Sequence, residues 1–156
     1  MGWQDFYRRR DALNAAVEQG ELRTGDVFDD ERELLLALHH RWTRRLSARV
    51  ELATVEADRD PAGDLVDAVG LAWRRTAADN AALRELLDAH AADLRPLVEE
   101  EHRMLATAAG LTEPSDSAEE AAAIGAAFVA LQRTAPGTHP RGNPVERLFR
   151  RLMPSA

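Results

Sequence analysis

The chain has 156 residues, 45% of them hydrophobic and 30% charged, with a formal net charge of −7. This profile is typical of one soluble globular domain, and the acidic balance disfavours nucleic-acid binding through the body of the protein. No apolar run approaches the roughly 18 residues of a membrane span, and the N-terminus lacks a hydrophobic signal segment, so we expect a cytoplasmic protein. The absence of cysteine and lysine excludes disulfides, thiolate nucleophiles, Schiff bases and P-loop chemistry.

Apolar residues recur at three- or four-residue spacing along most of the chain, which is the pattern of amphipathic helices. Gly20 is predicted to end the first helix. Asp29 or Asp30, and Ser117, are predicted to cap the starts of two later helices. One stripe continues across Pro96, so one kinked helix and two separate helices are both compatible with it. The predicted helices cover residues 3–19, 27–57, 64–78, 83–108, 118–134 and 145–153.

We therefore predict an all-α bundle of about five to seven helices. Residues 1–134 are predicted to form a single helical-bundle domain. A linker rich in proline and glycine follows at 135–144, and residues 145–156 form a C-terminal amphipathic helix and tail.

The start of the second helix, with Phe28, Asp29, Asp30, Glu31 and Glu33 followed by Leu34-Leu35, resembles the point where TetR-type regulators leave their DNA-binding head. The stretch 68–90 is similar to the middle of their ligand domains, so the resemblance covers residues 27–110. It implies a TetR C-terminal-domain-like bundle that forms a homodimer and binds a small apolar ligand. About 26 residues precede the junction, whereas the family's helix-turn-helix head needs roughly 45. We therefore expect no sequence-specific DNA binding.

Three polar residues lie on predicted core stripes, where a site or a polar network is expected. They are His39, His90 and Glu101, and Trp42 and Trp73 are expected beside them. These five residues are the candidate ligand-binding set. The alternative is that these residues have a purely structural role. Backbone carbonyls would then accept hydrogen bonds from the imidazoles, and an arginine, such as Arg49 or Arg10, would pair with Glu101.

A Glu-x-x-His motif at Glu99 and His102 raises the alternative of a ferritin-like metal protein that uses Glu101 and His102. The helical phase places Glu99 far from the apolar stripe and His102 on its flank. A solvated acidic face with a Glu99–Arg103 pair is the favoured interpretation, and no cofactor is expected.

The C-terminal helix places arginines opposite apolar residues, so it is a candidate partner-binding element. Folding back onto the bundle, a protein partner, and a membrane or nucleic acid are the three alternatives. The helix 118–134 carries small residues that permit close approach of another helix, and we expect a homodimer through it. The candidate partner-binding residues are Arg147, Phe149, Arg150 and Arg151.

The predicted function is a non-enzymatic helical binding or regulatory module for a small apolar ligand or a protein partner. The alternatives are the metal protein described above and an adaptor that acts through the basic C-terminal helix. Catalysis is disfavoured because no serine lies in a nucleophile-elbow context.

Overall fold

The computed structural model describes residues 2–136, which form six α-helices and no strand. The all-α prediction is therefore confirmed, and none of the described helices is long and apolar enough to cross a membrane. Most of the predicted linker and all of the predicted C-terminal helix, with Arg147, Phe149, Arg150 and Arg151, lie outside the described residues. The helices are α1 (Trp3–Gln19), α2 (Glu31–Arg59), α3 (Leu65–Asp79), α4 (Ala81–Ala89), α5 (Arg95–Ala108) and α6 (Ala118–Thr134).

The predicted caps begin and end these helices. The Asp30 carboxylate accepts a hydrogen bond from the Glu33 backbone N–H at 2.7 Å and starts α2. Ser117 and Glu120 form a reciprocal capping box at the start of α6. Gly20 ends α1 in the left-handed conformation, with φ of 65°, where glycine carries no steric penalty.

The stripe across Pro96 belongs to two helices, because the chain turns at residues 90–94 between α4 and α5. Pro96 lies in the first turn of α5, where its missing N–H leaves no hydrogen bond unmade. His90 therefore caps the end of α4 and is half-buried. The prediction that His90 lies in the core is wrong. It treats the apolar stripe as continuing along one helix past residue 90, whereas α4 ends at Ala89.

The core lies around α2, whose buried side chains contact α3, α4 and α5. Its largest members include Trp42 and Leu46, which are fully buried. The aromatic residues at the start of α1 are not part of this core, since Trp3 is 79% exposed and Phe6 is 54% exposed. Leu13 and Ala16 are the buried residues of α1.

The face of α6 that packs inward is rotated from the predicted one. The spacing of Ala121, Ile124, Phe128 and Leu131 in the sequence predicts that these four residues point inward, but Leu131 is 66% exposed. The residues that α6 buries are Ala122, Gly125, Phe128 and Val129. Small residues contribute little to a hydrophobic pattern. The prediction therefore followed the larger side chains and placed the buried face of the helix in the wrong orientation.

The inward face of α6 is used for close packing on α5. A Cβ atom at Gly125 would lie 1.9 Å from the carbonyl oxygen of His102, so the two backbones are almost in contact. Part of the small-residue set that we assigned to a dimer interface is therefore used within the chain.

We predict that Gly125→Ala destabilises the protein, although alanine favours a helix interior by about 1 kcal/mol. The added methyl group meets rigid backbone of α5, and overpacking of this kind typically costs about 1–3 kcal/mol. Gly70→Ala is the matched control, because the atom that its methyl group meets is the flexible end of Gln132. Urea denaturation followed by circular dichroism should show a loss for Gly125→Ala and little change for Gly70→Ala. Equal effects would contradict the close α5–α6 contact.

Candidate functional site

Glu101 is the buried polar residue that the helical phase of α5 predicts. Its side chain is 6% exposed. The Trp42 indole Nε1–H of α2 donates a hydrogen bond of 2.8 Å to its Oε2 atom. The predicted core position of Glu101 is confirmed, and its hydrogen-bond partner comes from another helix.

The arginine beside Glu101 is Arg84 of α4, whose Nη1 atom lies 3.9 Å from Glu101 Oε1. The Arg84 guanidinium also lies over the Trp42 ring, 4.6 Å from its centroid, in a cation–π contact. The suggestion of Arg49 or Arg10 as the partner of Glu101 is wrong. Arg49 pairs with Asp79 at 2.8 Å, and Arg10 pairs with Asp11 at 2.9 Å.

Asp88 continues these polar contacts from α4 to α6. It accepts a hydrogen bond of 3.0 Å from Arg84 Nε, and both terminal nitrogens of Arg133 donate to it at 2.8 Å. Burial alone would raise the pKa of Asp88, but the hydrogen bonds from Arg133 and the charge of Arg84 outweigh it and lower that pKa. Asp88 is therefore held as a carboxylate between two arginines.

The two tryptophans complete this network on its apolar side. Trp42 and Trp73 meet edge to face with ring centroids 6.5 Å apart, and the Arg133 guanidinium lies 5.3 Å from the Trp73 ring centroid. Side chains of α2, α3, α4, α5 and α6 thus meet in one continuous cluster. We call the set Trp42, Trp73, Arg84, Asp88, Glu101 and Arg133 the polar network.

Burial raises the pKa of Glu101, and this effect outweighs the opposing influence of the Arg84 charge and the Trp42 hydrogen bond. The ionised form of Glu101 is consequently less favourable here than in water. A group that brings a positive charge or a hydrogen-bond donor to this carboxylate would lower its pKa again.

A cleft of about 420 Å³ opens beside Glu101, between α2 and α5. It exists because α2 packs along α3 and α5 packs along α6, whereas α2 and α5 touch each other at few positions. Its apolar lining residues are Leu36, Leu97 and Met104, and its polar lining residues are His39, His40, Thr43, Ser47, Glu100 and Glu101. We call it the α2–α5 cleft.

His39 is the second buried polar group of the α2–α5 cleft, with a side chain only 8% exposed. Its Nδ1 atom lies 3.4 Å from the Thr43 hydroxyl oxygen, and its Nε2 atom lies 3.8 Å from Glu101 Oε2. The latter distance is too long for a hydrogen bond, so Nε2 has no partner among the described residues. Burial, and then the charge of Arg84, lower the pKa of His39 and favour its neutral form.

Thr43, His39 and Glu101 lie next to one another but do not form a nucleophilic centre. Both of its contacts are longer than the hydrogen bonds of an activated nucleophile. Thr43 and His39 also lie inside α2, where the backbone N–H groups are bonded along the helix and none is free to stabilise an oxyanion. This arrangement is suited to holding a hydrogen-bonding group rather than to cleaving a bond.

The other candidate residues lie apart from Glu101. His90 lines a different depression and has its Nδ1 atom 3.7 Å from Asp93. Glu99 is on the outer side of α5 and pairs with Arg95 at 3.3 Å, not with Arg103 as we expected. Within residues 2–136 no group of three or more histidine, aspartate and glutamate side chains is placed to hold a metal ion.

Four residues of the polar network and the α2–α5 cleft were not predicted from the sequence: Arg84, Asp88, Arg133 and Thr43. The Arg84–Asp88 pair has the i, i+4 spacing of helical ion pairs and was a detectable signal. The contact of Asp88 with Arg133 spans 45 residues, and nothing in the local sequence indicates it.

Comparison of the chain with protein-family models, with curated proteins and with solved structures finds no match. The resemblance of residues 27–110 to TetR-type regulators therefore stays a prediction. The polar network and the α2–α5 cleft are the features of the described residues that bear on function.

We predict that Glu101→Ala strongly destabilises the protein, whereas Glu99→Ala does not. Removing Glu101 leaves the Trp42 N–H and the Arg84 guanidinium without their buried carboxylate, and breaking such a contact typically costs about 3–5 kcal/mol. Loss of the exposed Glu99 pair should cost about 0–1 kcal/mol. The two variants change the same residue type on the same helix, so propensity differences cancel. Equal, small shifts in urea denaturation would contradict the central position of Glu101.

We also predict a pH-dependent stability that Glu101→Gln removes. Because the folded pKa of Glu101 is raised above its usual value of 4.5, its contribution to stability is fully present below that pH. The contribution is lost as the pH rises through the folded pKa. Glutamine stays neutral, so the stability of Glu101→Gln relative to the unsubstituted protein should increase as the pH rises.

Urea denaturation of both proteins from about pH 4 to pH 8 measures this difference. Asp88 and His39 titrate in both proteins, so the subtraction isolates Glu101. A difference that does not change with pH would contradict the raised pKa.

Proposed function

We propose that this protein is a non-enzymatic binding module that takes a small, mainly apolar molecule into the α2–α5 cleft. The observation that carries the proposal is the buried His39 Nε2 atom without a partner, beside Glu101, at a cleft that Leu36, Leu97 and Met104 also line. A buried polar atom without a hydrogen bond is costly and needs an explanation, and a bound ligand provides one. The volume of about 420 Å³ is in the range of small-molecule sites.

The chemistry of the cleft defines the class of ligand. Leu36, Leu97 and Met104 would contact an apolar body. A hydroxyl or protonated amine between His39 Nε2 and Glu101 Oε2 would hydrogen bond to both. An anionic ligand would face the carboxylates of Glu100 and Glu101, so a carboxylic acid is disfavoured.

The wider proposal is a homodimeric regulatory module whose body resembles the ligand domain of TetR-type regulators. It is supported by the resemblance of residues 27–110 and by the all-α architecture. The outward side of α6 exposes Ala123, Ala126, Ala127 and Leu131, on which a second copy could pack. In this proposal, a ligand between α2 and α5 would change how the two helix pairs α2–α3 and α5–α6 are held together.

The ligand class can be tested by isothermal titration calorimetry with three eight-carbon probes. Octylamine and octanol should bind, whereas octanoate should bind at least about tenfold more weakly than octylamine because of the two carboxylates. Glu101→Gln should weaken octylamine binding by about tenfold and octanol binding by less, since a charge-assisted hydrogen bond becomes a neutral one.

Glu99→Gln is the matched control, since it removes one carboxylate from the same helix outside the cleft, and it should leave octylamine binding unchanged. Equal affinity for octylamine and octanoate, or no binding of any probe, would contradict the proposal.

A further inference from the structure

A second concave surface, between α1 and α2, carries positive charge on a protein with a net charge of −7. Its volume is about 650 Å³. Its apolar lining residues include Leu13, Ala37 and Ala48. Five arginines line it: Arg9, Arg10, Arg41, Arg44 and Arg45. We call it the arginine groove.

Three of these arginines have no acidic partner. Arg9 pairs with Glu33 and Arg10 pairs with Asp11, so their charges are balanced. Among residues 2–136, no carboxylate lies within ion-pair distance of the remaining three. Arg41 donates a 2.8 Å hydrogen bond to the Asn14 side-chain oxygen, and Arg45 donates to the side-chain oxygen of Asn80. The three unbalanced arginines are Arg41, Arg44 and Arg45.

The lack of a nearby negative charge in the described part of the chain also affects the pKa of Arg41. Its pKa is lowered, first by burial and then by the neighbouring charge of Arg45. Like charges held together without a counter-charge are unfavourable, and an anionic group in the groove would relieve that repulsion.

Exposed aromatic side chains continue the apolar surface beyond the groove. Trp3 and Tyr7 stack with ring centroids 6.4 Å apart, and Phe6 lies edge-on to both. Phe6 also lines the groove, so the aromatic cluster and the groove form one continuous surface. Contiguous exposed apolar surface with a charged rim is typical of a protein interaction site.

We propose that the arginine groove docks an acidic, amphipathic segment of a partner protein. Apolar side chains of that segment would lie on Leu13, Ala37 and Ala48. Its carboxylates would pair with Arg41, Arg44 and Arg45, for which bidentate arginine–carboxylate geometry is available.

The shape and chemistry of the groove favour a peptide over other occupants. A membrane is flat and the groove is concave. Single-stranded nucleic acid would need aromatic faces for base stacking. Of the described phenylalanine, tyrosine and tryptophan side chains, only Phe6 lines the groove, and the faces of Tyr7 are occupied by Trp3 and Arg10. The net charge of −7 also disfavours a polyanion. Residues 137–156 of this chain carry four arginines and one glutamate, so their charge has the wrong sign.

Fluorescence anisotropy with labelled peptides tests this proposal. The probe is a peptide of about 16 residues with leucines at i, i+3, i+4 and i+7 spacing and glutamates on the flanking positions. One control peptide replaces every glutamate with lysine, and another scrambles the sequence at constant composition. We expect only the amphipathic glutamate peptide to bind, with an affinity that falls at higher salt.

Arg44→Glu should weaken binding of the glutamate peptide by about tenfold or more, because one attraction becomes a repulsion. Arg75→Glu on α3 is the control, since it makes the same charge change outside the groove and should have little effect. Binding of all three peptides, or equal effects of the two variants, would overturn the proposal. Tighter binding of single-stranded DNA than of the peptide, or loss of self-association in Arg44→Glu, would assign the groove to a different partner and overturn it as well.

Discussion

A single buried carboxylate determines how the helices of this protein fit together. Glu101 on α5 accepts a hydrogen bond from Trp42 on α2 and lies beside Arg84 on α4. Asp88 and Arg133 then connect this group to α6. An unpaired buried charge is unfavourable. Moving a helix that supplies one of these partners would therefore raise the free energy of the folded protein considerably. The polar network therefore joins side chains of five helices, and breaking it would leave buried polar groups unpaired.

The same carboxylate lies at the cleft where we propose that a ligand binds. Tightly packed pairs, α2–α3 and α5–α6, leave a cleft on the side where α2 and α5 touch little. Glu101 and His39 are the buried polar groups that line this cleft, so the carboxylate of the polar network also borders the proposed site. In the proposed function, ligand binding and stability would be coupled through the protonation of Glu101.

Much of the fold and one part of the site could be predicted from the sequence. Local signals were sufficient for the helix ends, since Asp30, Ser117 and Gly20 act on backbone groups a few residues away. Glu101 was identified because a charged residue in the middle of a leucine stripe contradicts the pattern around it.

The rest depends on distances that a sequence does not contain. Arg84 could be placed beside Glu101 only once α4 and α5 were known to be separate helices, and His90 was assigned to the core because the stripe was carried across that break. Gly125 contacts α5 through its lack of a side chain, which hydrophobic periodicity cannot register. The arginine groove likewise requires the relative placement of α1 and α2.

The most direct test of the central claim is a nuclear magnetic resonance titration of the Glu101 side-chain carboxyl carbon, with and without octylamine. In the free protein the pKa should lie above the usual value of 4.5, because burial disfavours the ionised form. Octylamine should lower it, because a positive charge in the α2–α5 cleft favours the carboxylate. An ordinary pKa, or a raised pKa that octylamine does not change, would contradict the account.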